Sequence, residues 1–383
     1  MRWTRAGGDG DGDGYGDGGD GGDRAAIRMT EPLLSVRDLS VRYGDSSAAT
    51  VDAGAVATAG ENNIAPVVDN LSFDLFPGEA LAMVGESGSG KSQTWLAALG
   101  LLDAGASVAG SVRYRGRDLL TLPRRSLDQL RGRDLALIFQ DPMTALNPSM
   151  RLGAQLTEAP RRHRGLSAAE ARARAADMLR TVGVPDAAQR LRAYPHELSG
   201  GLRQRAAFAM ALLCEPKILI ADEPTTALDA TVQAQILRLL ADLRRRFSLT
   251  LAIVTHDLGV VAALCDRMLV MYGGREMESG PVDEVFAAPR HPYTAGLLAA
   301  TPRLDRAVEA GGKLPMIPGA PPAPGELPAD SCPFAPRCPK RIEVCTARRP
   351  RPETVAPGRR VACHLHANAG DGNSTAAPTA APS

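Results

Sequence analysis

Residues 85–92 have the sequence Gly-Glu-Ser-Gly-Ser-Gly-Lys-Ser, which matches the phosphate-binding-loop pattern G-x-x-x-x-G-K-S at every position. An apolar run at 81–84 precedes the motif and a helix-like stretch at 93–102 follows it, so the required strand–loop–helix context is present. The glycines allow a tight curl in which backbone N–H groups point at a phosphate chain, and the helix N-terminus adds positive charge. A Gly/Ser-rich turn without a ligand is the alternative, which the flanking elements disfavour.

The residues of this loop have distinct expected roles. Lys91 is expected to reach the β- and γ-phosphates of a nucleotide, and the Ser92 hydroxyl to hold Mg²⁺. The loop as a whole is expected to bind the phosphate chain, which makes candidates of Gly85, Glu86, Ser87, Gly88, Ser89, Gly90, Lys91, Ser92 and Gln93.

A second motif is the apolar run at 218–221, which ends in the carboxylates of Asp222 and Glu223. A buried strand of this kind places the first carboxylate beside Mg²⁺, and the second can orient and deprotonate an attacking water. An ordinary strand with a charged end is the alternative, and the intact phosphate loop makes it the weaker one.

A third motif is Leu198-Ser199-Gly200-Gly201, which stands at the start of a helix-like stretch at 202–213. Ser199 can cap that helix, while Gly200 and Gly201 allow a phosphate to approach closely. By itself the tetrapeptide indicates only a capped helix.

Composition limits the function further. The 383 residues carry a formal net charge of +1, whereas a dedicated nucleic-acid binder usually shows a clear basic excess, so we expect no nucleic-acid partner. No apolar run approaches the roughly 18–20 residues of a membrane-spanning helix, and the N-terminus lacks a signal peptide's apolar segment. Any association with a membrane is therefore expected to go through a partner.

In order and spacing, the motifs resemble those of the nucleotide-binding subunit of an ABC transporter over roughly residues 33–300. Under this resemblance the 198–201 segment corresponds to the signature motif, Gln140 to the Q-loop glutamine that contacts Mg²⁺ and water, and residues 227–229 to the D-loop. His256 corresponds to the switch histidine that holds the γ-phosphate. The fold implied is an α/β P-loop NTPase with a mostly parallel sheet and a helical subdomain.

Tyr43 is similar in position to the family's aromatic residue that stacks on adenine. The insertion at 45–63, rich in Ala, Gly, Ser and Thr, is longer than usual in the family and leaves core packing as the alternative role for this ring. Leu202 is a second departure, since the family more often has Gln or Met there.

Three segments resemble the oligopeptide and dipeptide importer branch: residues 139–148, 224–235 and 291–298. The branch implies ATP and Mg²⁺ as cofactors and ATP hydrolysis coupled to peptide uptake, at the cytoplasmic face of the membrane. The implied partners are two transmembrane permease subunits, a second ATP-binding subunit (a homologue or a second copy) and an extracytoplasmic substrate-binding protein. Import of nickel or another small solute, a non-transport ABC ATPase, and a regulatory module without hydrolysis are the alternatives.

The chain divides into four predicted segments. Residues 1–30 are Gly/Asp-rich and expected to be disordered, and Met29 is an alternative start of translation. Residues 31–290 are expected to form the nucleotide-binding domain, with a helical subdomain at about 124–200. Residues 291–366 form a Pro- and Cys-rich extension, and residues 367–383 a disordered tail.

Four of the six cysteines, Cys332, Cys338, Cys345 and Cys363, are spaced C-x5-C-x6-C-x17-C in that extension. In a reducing compartment such crowding favours a metal over disulfides, and a short Pro-rich segment needs a cross-link to fold. The absence of a C-x2-C pair disfavours an ordinary zinc ribbon. The importer branch has members with an iron–sulfur cluster, so the resemblance implies a [4Fe–4S] site. Zn²⁺ or unligated thiols remain alternatives, and His364 or His366 could replace one ligand.

Overall fold

The computed structural model describes residues 31–44, 66–140, 145–226, 229–301, 316–323, 326, 328 and 330–366. Several predictions concern residues outside these ranges: the disordered ends at 1–30 and 367–383, the insertion at 45–63, the Q-loop residues 141–144 and the D-loop residues 227–228.

Strands and helices alternate along the described chain. The strands are β1 (Leu34–Tyr43), β2 (Val68–Leu75), β3 (Ala80–Val84), β4 (Ala106–Tyr114), β5 (Arg117–Asp118), β6 (Leu135–Ile138), β7 (Ile218–Asp222), β8 (Thr250–Thr255), β9 (Arg267–Tyr272), β10 (Arg275–Pro281), β11 (Glu353–Ala356) and β12 (Arg359–Val361). The helices are α1 (Lys91–Ala98), α2 (Arg124–Leu130), α3 (Leu152–Arg164), α4 (Ala168–Thr181), α5 (Ala187–Arg190), α6 (Gly200–Leu212), α7 (Ala230–Phe247), α8 (Leu258–Leu264), α9 (Val282–Ala287), α10 (Pro292–Ala300) and α11 (Val344–Ala347).

The larger sheet has the strand order β11-β12-β10-β9-β3-β8-β7-β6. Its five strands from β9 to β6 are mutually parallel, and β10, β12 and β11 extend one edge in antiparallel fashion. The predicted α/β fold with a mostly parallel sheet is therefore confirmed. A smaller antiparallel sheet has the order β2-β1-β4-β5.

The parallel strands are apolar because both faces of the sheet are covered. In β3, Ala80, Ala82 and Val84 face one hydrophobic cluster, while Leu81 and Met83 face the other. The period of two follows from the alternation of side chains along a strand. Strand β3 contains the apolar run at 81–84 that the sequence placed before the phosphate loop, and β3 and β8 pair at the buried centre of the molecule.

Helices α3 and α4 pack against α6, and α5 packs against α4. Helices α3, α4 and α5 lie within the range predicted for the helical subdomain, which also contains β6. Helix α4 begins at a capping box: Ser167 accepts from the backbone N–H of Glu170, and the Glu170 carboxylate accepts from the backbone N–H of Ser167. In the described residues, none of the helices combines the length and apolarity needed to cross a membrane.

The C-terminal extension joins the larger sheet through β12, which pairs with β10 at Glu278↔Val361 and Ser279↔Arg360. Arg359 Nη2 donates to Glu278 Oε1 at 2.8 Å, and the two side chains are 5% and 0% exposed. Glu278 also accepts from the backbone N–H groups of Arg290 and His291. A charge this deeply buried depends on its partners, so the pair anchors the extension to the body.

We expect Arg359→Met to lower the free energy of unfolding by about 3 kcal/mol, because it leaves the Glu278 carboxylate buried without its cation. Urea denaturation followed by circular dichroism measures the change. The control is Arg245→Met, whose ion pair with Asp242 on α7 is 75% and 67% exposed and should cost less than about 0.5 kcal/mol. Equal effects of the two substitutions would contradict the anchoring role.

Candidate functional site

The phosphate loop connects β3 to α1, and two of its glycines, Gly85 and Gly90, have no room for a side chain. Gly90 caps α1 with φ 93°, and a Cβ atom there would lie 2.6 Å from the Val67 carbonyl oxygen. A Cβ atom on Gly85 would lie 2.2 Å from the Met271 carbonyl oxygen. The backbone can therefore curl in this way only with glycine at both positions.

Lys91 lies at the centre of the loop, and only 6% of the residue is exposed. Its ammonium donates to the carbonyl oxygens of Gly85 and Glu86, both at 2.8 Å, and to Ser89 Oγ at 3.1 Å. Burial lowers the pKa of Lys91, whereas the negative charges of Glu223, Asp222 and Glu86 act against that shift. The loop thus holds a poorly solvated cation, ready to attract an anionic ligand.

Asp222 reaches the same place from the end of β7, where its side chain is hydrogen-bonded to Ser92. Burial raises the pKa of this carboxyl, and its Oδ1 is buried without a hydrogen-bond partner. A buried carboxylate oxygen without a partner, next to a hydroxyl, is a donor set of the kind that Mg²⁺ uses. The predicted metal residues Ser92 and Asp222 therefore lie together.

Glu223 is held by three side chains. Gln140 Nε2 donates to Oε2 at 2.9 Å, Thr226 Oγ1 donates to Oε2 at 2.8 Å, and His256 Nδ1 lies 3.2 Å from Oε1. The residue has φ 46°, an uncommon value for a side-chain-bearing residue that often marks a functional position. The structure thus brings the predicted catalytic residues Gln140, Glu223 and His256 into one cluster.

Two opposing effects act on the pKa of Glu223. Burial raises it, but the hydrogen bonds from Thr226 and His256, together with nearby positive charge, outweigh burial, so the pKa lies below its ordinary value. The carboxylate is therefore ionised at neutral pH and can accept a proton from a hydrogen-bonded water.

Tyr43 lies at the end of β1, and its hydroxyl donates to Gln93 Oε1 at 2.5 Å in the first turn of α1. Burial, with the charge of Asp103 as the second cause, raises the pKa of this phenol. The half-buried ring is thus fixed next to the phosphate loop, and Gln93 connects the two.

The Ser199 segment lies at the N-terminus of α6. Ser199 Oγ accepts from the backbone N–H of Leu202 at 3.4 Å and caps α6, while Gly200 and Gly201 form the first turn. Ser199 and Gly200 are exposed. This helix N-terminus therefore presents backbone N–H groups and a hydroxyl to solvent.

Three residues at the site were missed by sequence reasoning. Thr226 holds Glu223, the Tyr293 hydroxyl accepts from the backbone N–H of Glu86 at 2.9 Å, and Arg337 forms an ion pair with the Glu86 carboxylate at 2.6 Å. Thr226 lies inside a motif whose composition could have drawn attention to it. Tyr293 and Arg337 act over long sequence separations, for which the sequence carries no local signal.

The four cysteines of the extension line one pocket, together with His291, Phe334, His364 and neighbouring residues. All four are free thiols, and the backbone N–H of Cys332 donates to the Cys345 carbonyl oxygen at 2.8 Å. Across the described ranges, no group of three or more His, Cys, Asp or Glu side chains is placed to hold a metal ion. Burial raises the pKa of the Cys332 thiol to about 11.

Comparisons with known proteins identify two matching families. The ABC transporter family matches residues 68–226, and the family described as the oligopeptide/dipeptide transporter C-terminal region matches residues 277–345. The oligopeptide transport ATP-binding protein OppD of Salmonella typhimurium is 51% identical over 331 residues, covering 86% of this chain and 93% of that protein. The oligopeptide transport ATP-binding protein AppD of Bacillus subtilis is 45% identical, covering 80% of this chain and 92% of that protein.

Solved structures agree with this result. A dimeric ATP-binding cassette in a post-hydrolysis state, bound to ADP and Pi, has a TM-score of 0.55 at 26% identity. The match covers 65% of this chain and 99% of the cassette.

We expect Thr226→Val to raise the pKa of Glu223, because the lost hydroxyl stabilises the charged carboxylate. Carbon-13 NMR titration of glutamate-labelled protein measures this pKa. The folded-state pKa is depressed, so the contact adds stability at neutral pH that disappears as the pH falls through that pKa. Thr181→Val on α4, which removes only a bond to the Asp177 carbonyl oxygen, is the control and should leave the titration unchanged.

Proposed function

Since this chain belongs to the ABC transporter family of ATP-binding proteins, we propose that it hydrolyses ATP to drive the import of oligopeptides through partner membrane subunits. The observation that carries the proposal is the cluster around Glu223, which holds an ionised carboxylate at the edge of the sheet where the phosphate loop also lies. The names of the relatives supply the substrate class.

ATP binding uses the loop and its surroundings. The phosphate oxygens replace the loop oxygens that accept from Lys91 in the nucleotide-free loop. The backbone N–H groups of the loop donate further hydrogen bonds to the phosphates. Ser92 and Asp222 would hold Mg²⁺. Gln140, which is hydrogen-bonded to Glu223, would contact the ion and the attacking water. The metal supplies charge neutralisation for the phosphate chain. Tyr43, fixed by Gln93, offers its ring to the adenine base.

Hydrolysis uses Glu223 as the general base. Its carboxylate accepts a proton from the attacking water, and Gln140 and Thr226 keep that carboxylate in one orientation. His256 is largely exposed and reaches the carboxylate from the opposite oxygen, which leaves its second ring nitrogen available to the γ-phosphate.

We infer that two ATP-binding subunits close around the nucleotide. The exposed Ser199 and Gly200, together with the half-buried Gly201, would contact the γ-phosphate held by the partner's loop, and loss of that phosphate would let the pair open. The dimeric cassette with ADP and Pi supports this arrangement. The pair would drive two permease subunits from the cytoplasmic face of the membrane, with an extracytoplasmic binding protein delivering the peptide.

We expect Glu223→Gln to lower ATP turnover by about a hundredfold or more, because the amide cannot accept the proton. Binding of ATP should stay within about threefold, since the phosphate loop is unchanged. A phosphate-release assay and a nucleotide titration measure the two quantities. Glu158→Gln, an exposed glutamate on α3, is the control. Unchanged turnover in Glu223→Gln would remove this residue from the mechanism.

We also propose that the cysteine pocket holds a metal centre, with a [4Fe–4S] cluster favoured over Zn²⁺. All four cysteines line one pocket, and three of their sulfurs accept a backbone N–H from two residues further on: Cys332 from Phe334, Cys338 from Lys340 and Cys363 from Leu365. Such bonds stabilise metal-bound thiolates.

We expect anaerobically purified protein to contain about four iron atoms per chain and to absorb at about 400 nm. Cys338→Ser should abolish both signals, whereas Cys214→Ala, a buried thiol outside the pocket, should preserve them. Stoichiometric zinc without iron would select the alternative metal. Protein that contains neither metal would refute a metal centre.

A further inference from the structure

An arginine of the C-terminal extension closes on the phosphate loop. Arg337 Nη1 lies 2.6 Å from Glu86 Oε2, and Nη2 lies 3.1 Å from Glu86 Oε1, so the contact is bidentate. The arginine side chain is 6% exposed and the glutamate 24%. Two parallel charge-assisted bonds in a nearly buried setting fix the position of the carboxylate.

The rest of the guanidinium is also fixed. Its Nε donates to the Pro318 carbonyl oxygen at 2.8 Å, and its Nη1 donates to the Tyr272 hydroxyl at 3.2 Å. The guanidinium carbon lies 5.7 Å from the centre of the Tyr272 ring. The guanidinium is thus held by Tyr272, Pro318 and Ile317 independently of the carboxylate that it binds, so it can serve as a fixed partner for Glu86.

The same region holds the backbone of the loop. The Tyr293 hydroxyl accepts from the Glu86 N–H, and the Phe334 ring packs on Tyr272 and Tyr293 with centroid separations of 5.3 and 5.2 Å. Phe334 immediately precedes the short 3-10 helix that ends at Arg337. The second residue of the phosphate loop is therefore held through both its side chain and its backbone.

Glu86 presents an electrostatic problem for a loop that binds anions. Its negative charge acts on the Lys91 ammonium: burial lowers the pKa of Lys91, and the Glu86 carboxylate partly offsets that shift. Without a counter-charge, the same carboxylate would repel a triphosphate held by the loop. Arg337 supplies that counter-charge from a remote part of the chain.

We propose that Arg337 is a positioning residue of the nucleotide site: by neutralising and orienting Glu86, it sets the affinity of the phosphate loop for nucleotide. The inference rests on the proposed ATP-binding function. Under this proposal the C-terminal extension contributes a residue to the nucleotide site, and this role is separate from any metal binding by its cysteines.

The test is a double-substitution cycle in the full-length chain, with the affinity for ATP and for ADP measured by calorimetry. Arg337→Gln leaves Glu86 unpaired and should weaken ATP binding by about tenfold. Glu86→Gln removes the repulsion but keeps the cation, so it should bind ATP about threefold tighter than the wild type. The double variant restores the balance of charge and should return to within about threefold of the wild type.

The direction of the Glu86→Gln effect separates positioning from simple structural support. If the pair only stabilised the fold, both single variants and the double variant would bind ATP more weakly, and that result would overturn the proposal. If Arg337→Gln fails to fold, Glu86→Gln decides alone: tighter binding supports the proposal, and unchanged or weaker binding refutes it.

Two further measurements sharpen the result. Arg337→Lys keeps the charge and should recover at least half of the lost ATP affinity on a logarithmic scale. The control is Arg360→Gln, which breaks the ion pair between Arg360 on β12 and Glu276 and should change ATP affinity by less than about twofold. The loss in Arg337→Gln should shrink as salt is raised. A wild-type chain that binds no ATP would instead overturn the proposed function, so the two failures are distinguishable.

Discussion

The parallel register of β3, β8 and β7 is the constraint on which the site depends. Val84 pairs with Thr255, and Asp222 pairs with Val254, so the carboxyl ends of the three strands lie at one edge of the sheet. The phosphate loop follows β3 and His256 follows β8, while Asp222 ends β7 and Glu223 comes directly after it. Burial on both faces fixes the register, because a slip by one residue would turn every apolar side chain to the wrong cluster.

The buried edge is also where charge is balanced most closely. Lys91 is desolvated in the middle of three carboxylates, and each of these has a different environment. Asp222 has one buried oxygen without a hydrogen-bond partner, Glu223 is held by three donors, and Glu86 is paired with Arg337. Because their environments differ, the three carboxylates are suited to different roles although they are chemically alike. Metal binding suits Asp222, proton transfer suits Glu223, and Glu86 has a counter-charge that keeps it from opposing the ligand.

The sequence predicted those parts whose signals are local. The loop, the apolar strands β3 and β7, and the cap at Ser199 follow from residues next to one another in the chain. The sequence did not predict β4, which is mostly exposed and carries no apolar alternation, or β10, in which Glu276, Glu278 and Ser279 are buried. Buried polar strands resemble exposed loops in composition, because the partners that compensate their polarity come from elsewhere in the chain.

The contact between Arg337 and Glu86 shows the limit of local reasoning most clearly. The two residues are 251 positions apart, and neither has a neighbour that would indicate the other. Two long-range contacts bring the residues together: β12 pairs with β10 at the edge of the sheet, and the Phe334 ring packs on Tyr272 and Tyr293. These contacts place the segment that contains Arg337 next to the end of β9. A nucleotide site that includes its C-terminal extension can respond to changes there, since any movement of the segment that contains Arg337 also moves the charge that balances the phosphate loop.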